Sequence, residues 1–157
     1  MSYPTPPETL YETLINLFLV VNENDRFVLA GYGLSLPRFH VLQHLYAEPG
    51  ISFVRLSDLM LTDRANVTRI IRGMEADGLV SRQLNTHDRR SYLLHMTAKG
   101  AALYARAAAA HRADIAIRFA GAFDDASQQL PADFLAQLRM LYEGLETHLE
   151  TLKQPAA

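Results

Sequence analysis

Six residues of types that can read nucleic-acid bases share one side of a segment at residues 63 to 77: Arg64, Ala65, Asn66, Thr68, Arg69 and Arg72. Opposite them Val67, Ile70, Ile71 and Met74 recur at steps of three, one and three, and the stripe ends at Asp77-Gly78. The spacing predicts a helix capped by Asp63, with the apolar stripe turned inward and the polar residues outward. In a major groove a guanidinium can pair bidentately with guanine and a carboxamide with adenine, while a small residue such as Ala65 lets the helix approach closely. A solvated face with ordinary charges is the competing reading of this segment taken alone. A second polar group follows: His87, Asp88, Arg89 and Arg90 end the stretch Asn85 to Arg90, which separates strand candidates at Leu79 to Leu84 and Ser91 to Met96. Guanidinium groups at such a hairpin tip suit the concentrated negative potential of a narrow minor groove. Asp88 is unfavourable beside phosphates in itself, and its expected role is to pair with Arg90 and hold it at a set angle. An ordinary acidic turn residue is the alternative for Asp88.

The elements that must position these groups are mostly helical. Thr5-Pro6-Pro7-Glu8 reads as a helix start with Thr5 as cap, proline in the first turn and Glu8 closing a capping box. That helix should run from about Pro6 to Leu29, with Leu10, Leu14, Leu17, Val21 and Val28 on one side and Ile15, Phe18 and Leu19 on another. Gly31 and Gly33 end it, and Leu36 to Tyr46 forms a shorter helix whose Leu36, Phe39, Leu42 and Leu45 face inward. A third helix is capped by Ser52, with Ile51 placed to staple onto Leu56 and with Leu59 and Met60 turned inward. Thr97 caps a long alanine-rich helix from about Ala98 to Ala120. Pro131 opens the last one, where Phe134, Leu138, Leu141, Leu145 and Leu152 form one seam and Leu135, Tyr142 and Leu149 a second. Two seams on one helix imply two neighbours.

At 157 residues the chain has the size of one domain. It contains no cysteine, which excludes disulfides and thiol chemistry. No apolar run reaches the roughly 20 residues of a membrane span, and Met1 to Pro7 lacks the pattern of a signal peptide, so a cytoplasmic location without membrane contact is expected. The net charge of -2 argues against a nucleic-acid partner, but its distribution does not. Residues 55 to 99 hold eight basic groups against five acidic ones, a net of +3, which leaves -5 on the flanks. A basic middle between acidic flanks suits a phosphate-facing module carried by helices with a different task.

Two tightly linked helices followed by a hairpin with a charged tip make a winged helix-turn-helix. The chain resembles the MarR family of bacterial regulators in Asn66-Val67-Thr68-Arg69, Asp77-Gly78-Leu79-Val80-Ser81-Arg82, Asp88-Arg89-Arg90 and Met96-Thr97-Ala98-Lys99-Gly100, in that order. The resemblance implies one MarR-type domain over residues 1–157, mainly α with a small β-hairpin wing. It implies a DNA-binding lobe at 36–100 and interleaved dimerisation helices at 6–33 and 121–152, with Leu10, Leu14, Leu138, Leu141, Leu145 and Leu149 in the subunit interface. It further implies a homodimer that represses by binding a pseudo-palindromic operator in double-stranded DNA, and an effector, commonly a small aromatic acid or other phenolic compound, held between the dimer helices and the lobe. Phe18, Arg38, His40, His44 and Tyr104 are the candidate effector residues, although Arg38 could equally be an ordinary ion-paired surface residue. Three positions depart from the family pattern: Leu61 stands where glycine is usual, Ser57 replaces alanine, and Gly73 interrupts the recognition helix.

His40 and His44 lie four apart on one helix, a spacing that can place two imidazoles on one metal, but zinc needs a third or fourth ligand and no HExxH pattern or cysteine supplies it. No metal and no cofactor are expected. No nucleophile elbow, phosphate-binding glycine loop or dinucleotide fingerprint occurs, so there are no catalytic candidates. A winged helix used only for protein contacts, without DNA or effector, remains the alternative function.

Overall fold

A computed structural model describes residues 6–86, 88, 91–122 and 131–153. Helix α1 (Pro7–Ala30) starts on Pro6, with no side-chain cap; the expected cap Thr5 lies outside the described residues. It is followed by α2 (Leu36–Ala47), β1 (Ile51–Ser52), α3 (Phe53–Leu59), α4 (Arg64–Ala76), the hairpin β2 (Val80–Leu84) and β3 (Tyr92–Met96), and α5 (Ala98–Ala122). The last helix, α6 (Phe134–Lys153), begins three residues after Pro131, which instead accepts the Phe134 amide in the turn before it.

The three strands form one antiparallel sheet in the order β1-β3-β2. Val80 pairs with Met96 and Leu84 with Tyr92, while Ile51 and Ser52 add to the other edge of β3 opposite Leu94 and Leu93. The strand at Ile51 was not expected from sequence. Ile51 is fully buried with Leu56, so the residue expected to staple α3 also pins that helix to the sheet.

Two compact units divide the chain, Met1–Ile115 and Ala116–Ala157. In the first, the core gathers Phe39, Val41, Leu42 and Leu45 of α2, Leu56 of α3, Val67, Ile70, Ile71 and Met74 of α4, Leu79, Val80 and Leu94 around the hairpin, and Ala107 and Ala108 of α5. All four apolar residues of the α4 stripe are therefore buried as their spacing predicts. In the second unit, α6 buries none of its residues, and Leu135, Tyr142, Leu145 and Leu149 lie exposed. Helix α1 is similar along much of its length, with Leu10, Ile15, Leu17, Phe18 and Val20 exposed and Leu29 alone of its residues buried.

Two of the sequence motifs prove to be halves of one junction. The end of α4 turns at Gly78, whose φ of 68° is open to glycine, and the Leu79 amide donates back to the Met74 carbonyl at 2.9 Å. The Thr97 amide then donates to the Leu79 carbonyl at 3.0 Å, the Thr97 hydroxyl to the Gly78 carbonyl at 2.7 Å, and Lys99 Nζ to the Asp77 carbonyl at 2.7 Å. A Cβ at position 100 would run into the Leu79 carbonyl, so Gly100 is what lets α5 start this close to the end of α4.

Candidate nucleic-acid interface

The turn into α4 is built by local chemistry. Leu61 adopts φ 48°, the left-handed region, which explains why this position suits glycine; its side chain is 73% exposed, so the conformation is not held by burial. The Thr62 amide donates to the Ser57 carbonyl at 3.1 Å, and Asp63 caps α4 by accepting the Asn66 amide at 2.7 Å. Ser57 itself is buried, with its hydroxyl donating to the Val54 carbonyl at 2.7 Å. Gly73 is exposed, and a Cβ there would meet open space, so no crowding demands a glycine.

On the outer face of α4, Arg64, Ala65, Thr68, Arg69 and Arg72 line one open hollow. The Thr68 hydroxyl folds back onto the Arg64 carbonyl at 2.7 Å. Asn66 is half-buried: its Nδ2 donates to Thr62 Oγ1 at 3.0 Å, and its Oδ1 accepts from Arg69 Nη2 at 2.7 Å. Three cations on one short helix face, with no carboxylate among the residues lining the hollow, make a surface complementary to phosphate and base edges.

At the hairpin tip the Asn85 amide donates to the Ser91 carbonyl at 3.0 Å, and the Ser91 amide and hydroxyl both donate to the Asp88 carbonyl, at 2.9 and 3.0 Å. Asp88 is exposed. His87, Arg89 and Arg90 lie outside the described residues, and with them the expected pairing of Asp88 with Arg90. Sequence reasoning overlooked Arg82 of β2, whose guanidinium lies 5.1 Å from the Phe53 ring centre and donates to Glu75 Oε2 at 2.5 Å, tying the wing to both α3 and α4. A basic residue within a strand candidate was the only signal in the sequence, since the fold alone brings Glu75 and Phe53 to it.

The candidate effector residues divide. Phe39, Tyr46 and Tyr104 form a row of rings with centres 5.7 Å apart (Phe39 to Tyr104) and 5.2 Å apart (Tyr46 to Tyr104). Phe39 also meets His111 edge-on at 5.0 Å and His40 at 6.4 Å. His40 and His44 are both held below the usual histidine pKa, chiefly by burial; the neighbouring His44 and His111 deepen the effect at His40, and Asp25 opposes it. Burial likewise raises the Tyr104 phenol. His111 Nε2 lies 3.0 Å from Asp25 Oδ1, so that α1 and α5 meet there. Arg38 is drawn elsewhere: its guanidinium pairs with the Asp77 carboxylate, which is thereby held below the usual carboxylate range. Phe18 is exposed on α1. No cluster of metal-ligating side chains occurs among the described residues, so His40 and His44 acquire no third ligand there. Nor is any helix among them long and apolar enough to cross a membrane.

The sequence model of the MarR family matches residues 34–92, the segment that holds α2 to the start of β3. A putative transcriptional regulatory protein for the hcr operon of Thauera aromatica is 32% identical over 81 residues, 52% of this chain and 49% of that protein. The HTH-type transcriptional regulator PetP of Rhodobacter capsulatus is 30% identical over 107 residues, 68% of this chain and 62% of its own. The chain thus spans about half to three-fifths of the length of these relatives, which are named as regulators and not as enzymes. Among solved structures, a MarR transcriptional regulator from Methanosarcina mazei is similar with a TM-score of 0.71 at 25% identity, covering 92% of this chain and 99% of that one.

Proposed function

Because the chain belongs to the MarR family through residues 34–92, we propose that it is a transcriptional regulator that binds duplex DNA as a homodimer, with α4 in the major groove and the hairpin tip at the adjoining minor groove. The observation that carries this reading is the outer face of α4, where Arg64, Arg69 and Arg72 surround one hollow with Ala65 and Thr68 while the opposite face is locked into the core. The exposed apolar residues along α1, and separately along α6, support the dimer, since large exposed apolar surface marks an association site. Two-fold symmetry would then set the recognition helices about one helical turn, roughly 34 Å, apart on a pseudo-palindromic operator. Repression is the proposed sign of regulation, with the bound dimer blocking access to the promoter.

Release by a small aromatic acid completes the proposal. His40 and Tyr104 offer polar groups beside the Phe39 ring, and Tyr46 stacks on Tyr104, with His44 on α2 and Phe18 on α1 further candidates. A ligand there acts only if it binds one lobe arrangement better than another. Arg38 is left out of the ligand set because Asp77 engages it.

A gel shift on the promoter beside the protein's own gene, with and without aromatic acids, tests the reading. Retention that weakens steeply as salt rises is expected, because phosphate contacts release counterions. Arg69→Ala should cost about 1 to 3 kcal/mol on the specific site and relax its sequence preference. No retention at low salt would refute DNA binding, and retention indifferent to aromatic acids would refute the effector alone.

A further inference from the structure

We infer that Asn66 is a positioning residue: Thr62 fixes its carboxamide, and that carboxamide aims the Arg69 guanidinium at the base pair it reads. The inference rests on the DNA-binding reading and deepens it.

The geometry runs through three side chains. Arg69 Nη2 lies 2.7 Å from Asn66 Oδ1, and Asn66 Nδ2 lies 3.0 Å from Thr62 Oγ1. The orientation of the amide follows from chemistry, since a guanidinium only donates and the group facing it must be the carbonyl oxygen. The NH2 group therefore faces Thr62, whose hydroxyl accepts. Both ends of the carboxamide are engaged inside the protein, so Asn66 is poorly placed to make the two-point contact with adenine that a free asparagine offers. Arg69 keeps more freedom. Of the five N–H donors of its guanidinium, one goes to Asn66 and four remain for a guanine edge.

Thr62 is itself anchored. Its amide donates to the carbonyl of buried Ser57 at 3.1 Å, directly after the left-handed turn at Leu61. Asp63 holds the start of the helix through the Asn66 backbone amide and not its side chain. Replacing the Asn66 side chain therefore leaves the cap in place. An arginine on an exposed helix face otherwise loses rotamer freedom when it binds, and a guanidinium braced beforehand loses less. The brace thus converts a flexible cation into an oriented reader.

The test uses the full-length protein and a preferred duplex obtained from it by selection out of a random-sequence pool. Affinities of the wild type, N66A, R69A, N66A/R69A, T62V and T62S are then measured on that duplex and on every single base-pair variant of it. R69A should abolish discrimination at its base pair, roughly 5- to 150-fold in the wild type. N66A should flatten discrimination at that same base pair and at no other, and the double variant should match R69A within about twofold, because the two act as a unit. T62V should produce the N66A pattern in weaker form, and T62S, which keeps the hydroxyl, should restore the wild-type profile. A loss of fold would weaken binding to all duplexes together and could not move one base pair alone. If N66A flattens a base pair that R69A leaves intact, or if the double variant is weaker than R69A by the full factor of N66A, Asn66 reads DNA itself and the inference fails. If T62V keeps the wild-type profile, Thr62 does not orient the amide and the relay fails. Enrichment of no sequence by the wild type would overturn the DNA-binding reading, and the relay with it.

Discussion

Helices α4 and α6 carry the same kind of apolar periodicity and meet opposite fates. In α4 every residue of the stripe, Val67, Ile70, Ile71 and Met74, is buried against α2, α3 and the hairpin of the same chain. In α6 no residue is buried, and Leu135, Tyr142, Leu145 and Leu149 face solvent in the single chain. A period of three and four states that a stripe exists and says nothing about what covers it. The lobe around α4 is complete in one chain. The face of α6 is complete only when something else supplies the other side, and the proposed second copy is that supply.

The largest expected effect follows from that contrast. Sedimentation at micromolar concentration should show about twice the chain mass for the wild type, and replacing Leu141 and Leu145 by glutamate should give a single-chain mass or an insoluble product. A wild type that sediments as one chain would break the comparison, because α6 would then tolerate its exposed face. Within the lobe, Ile71→Ala should lower stability by about 2 to 5 kcal/mol, as expected for truncating a fully buried aliphatic side chain. The loss, read as a shift in denaturant midpoint, should not depend on protein concentration, whereas that of the α6 variants should.

Smaller effects sharpen the picture of the lobe. A left-handed backbone costs an ordinary residue about 1 to 2 kcal/mol, and the greater unfolded-state freedom of glycine offsets roughly 0.4 to 1 of this. Leu61→Gly should therefore stabilise the protein by about 1 kcal/mol or less, seen as a slightly higher melting temperature; a lower one would mean that the exposed leucine has a stabilising contact. Acid sensitivity should trace to α2. His40 and His44 have pKa values lowered in the fold chiefly by burial, so between those values and about 6.5 the unfolded chain binds more protons than the folded one. Stability should then rise with pH across that window and fall as pH drops through it. His40→Gln should flatten the slope in denaturation midpoints measured from about pH 5 to 7.5. An unchanged slope would assign the acid sensitivity elsewhere.

What could be read from the chain alone was what depends on near neighbours. Ser52 accepts the Arg55 amide, Asp63 the Asn66 amide and Thr97 the Gly100 amide, each three residues on, because a helix cap is satisfied within one turn. The stripe on α4, the hairpin and the order of elements follow from short-range pattern in the same way. The start of α6 lies three residues beyond Pro131, which was expected to open it, since proline is compatible with a turn as well as with a first helical position. Strand β1 is two residues long and exists only because Leu93 and Leu94 lie beside it, some forty positions away. Tertiary structure alone decided the partners of the charged and polar groups: Arg38 with Asp77, Arg82 with Glu75 and Phe53, His111 with Asp25. These pairs join side chains from elements that are distant in sequence or turned back on one another, and a hydrogen bond or ion pair depends on ångström-scale placement that no local periodicity encodes. The Asn66 carboxamide shows the boundary most sharply. Its partners Thr62 and Arg69 are only four and three residues away, so their nearness is legible in the sequence, but which end of the carboxamide meets which of them depends on side-chain placement that residue spacing does not encode.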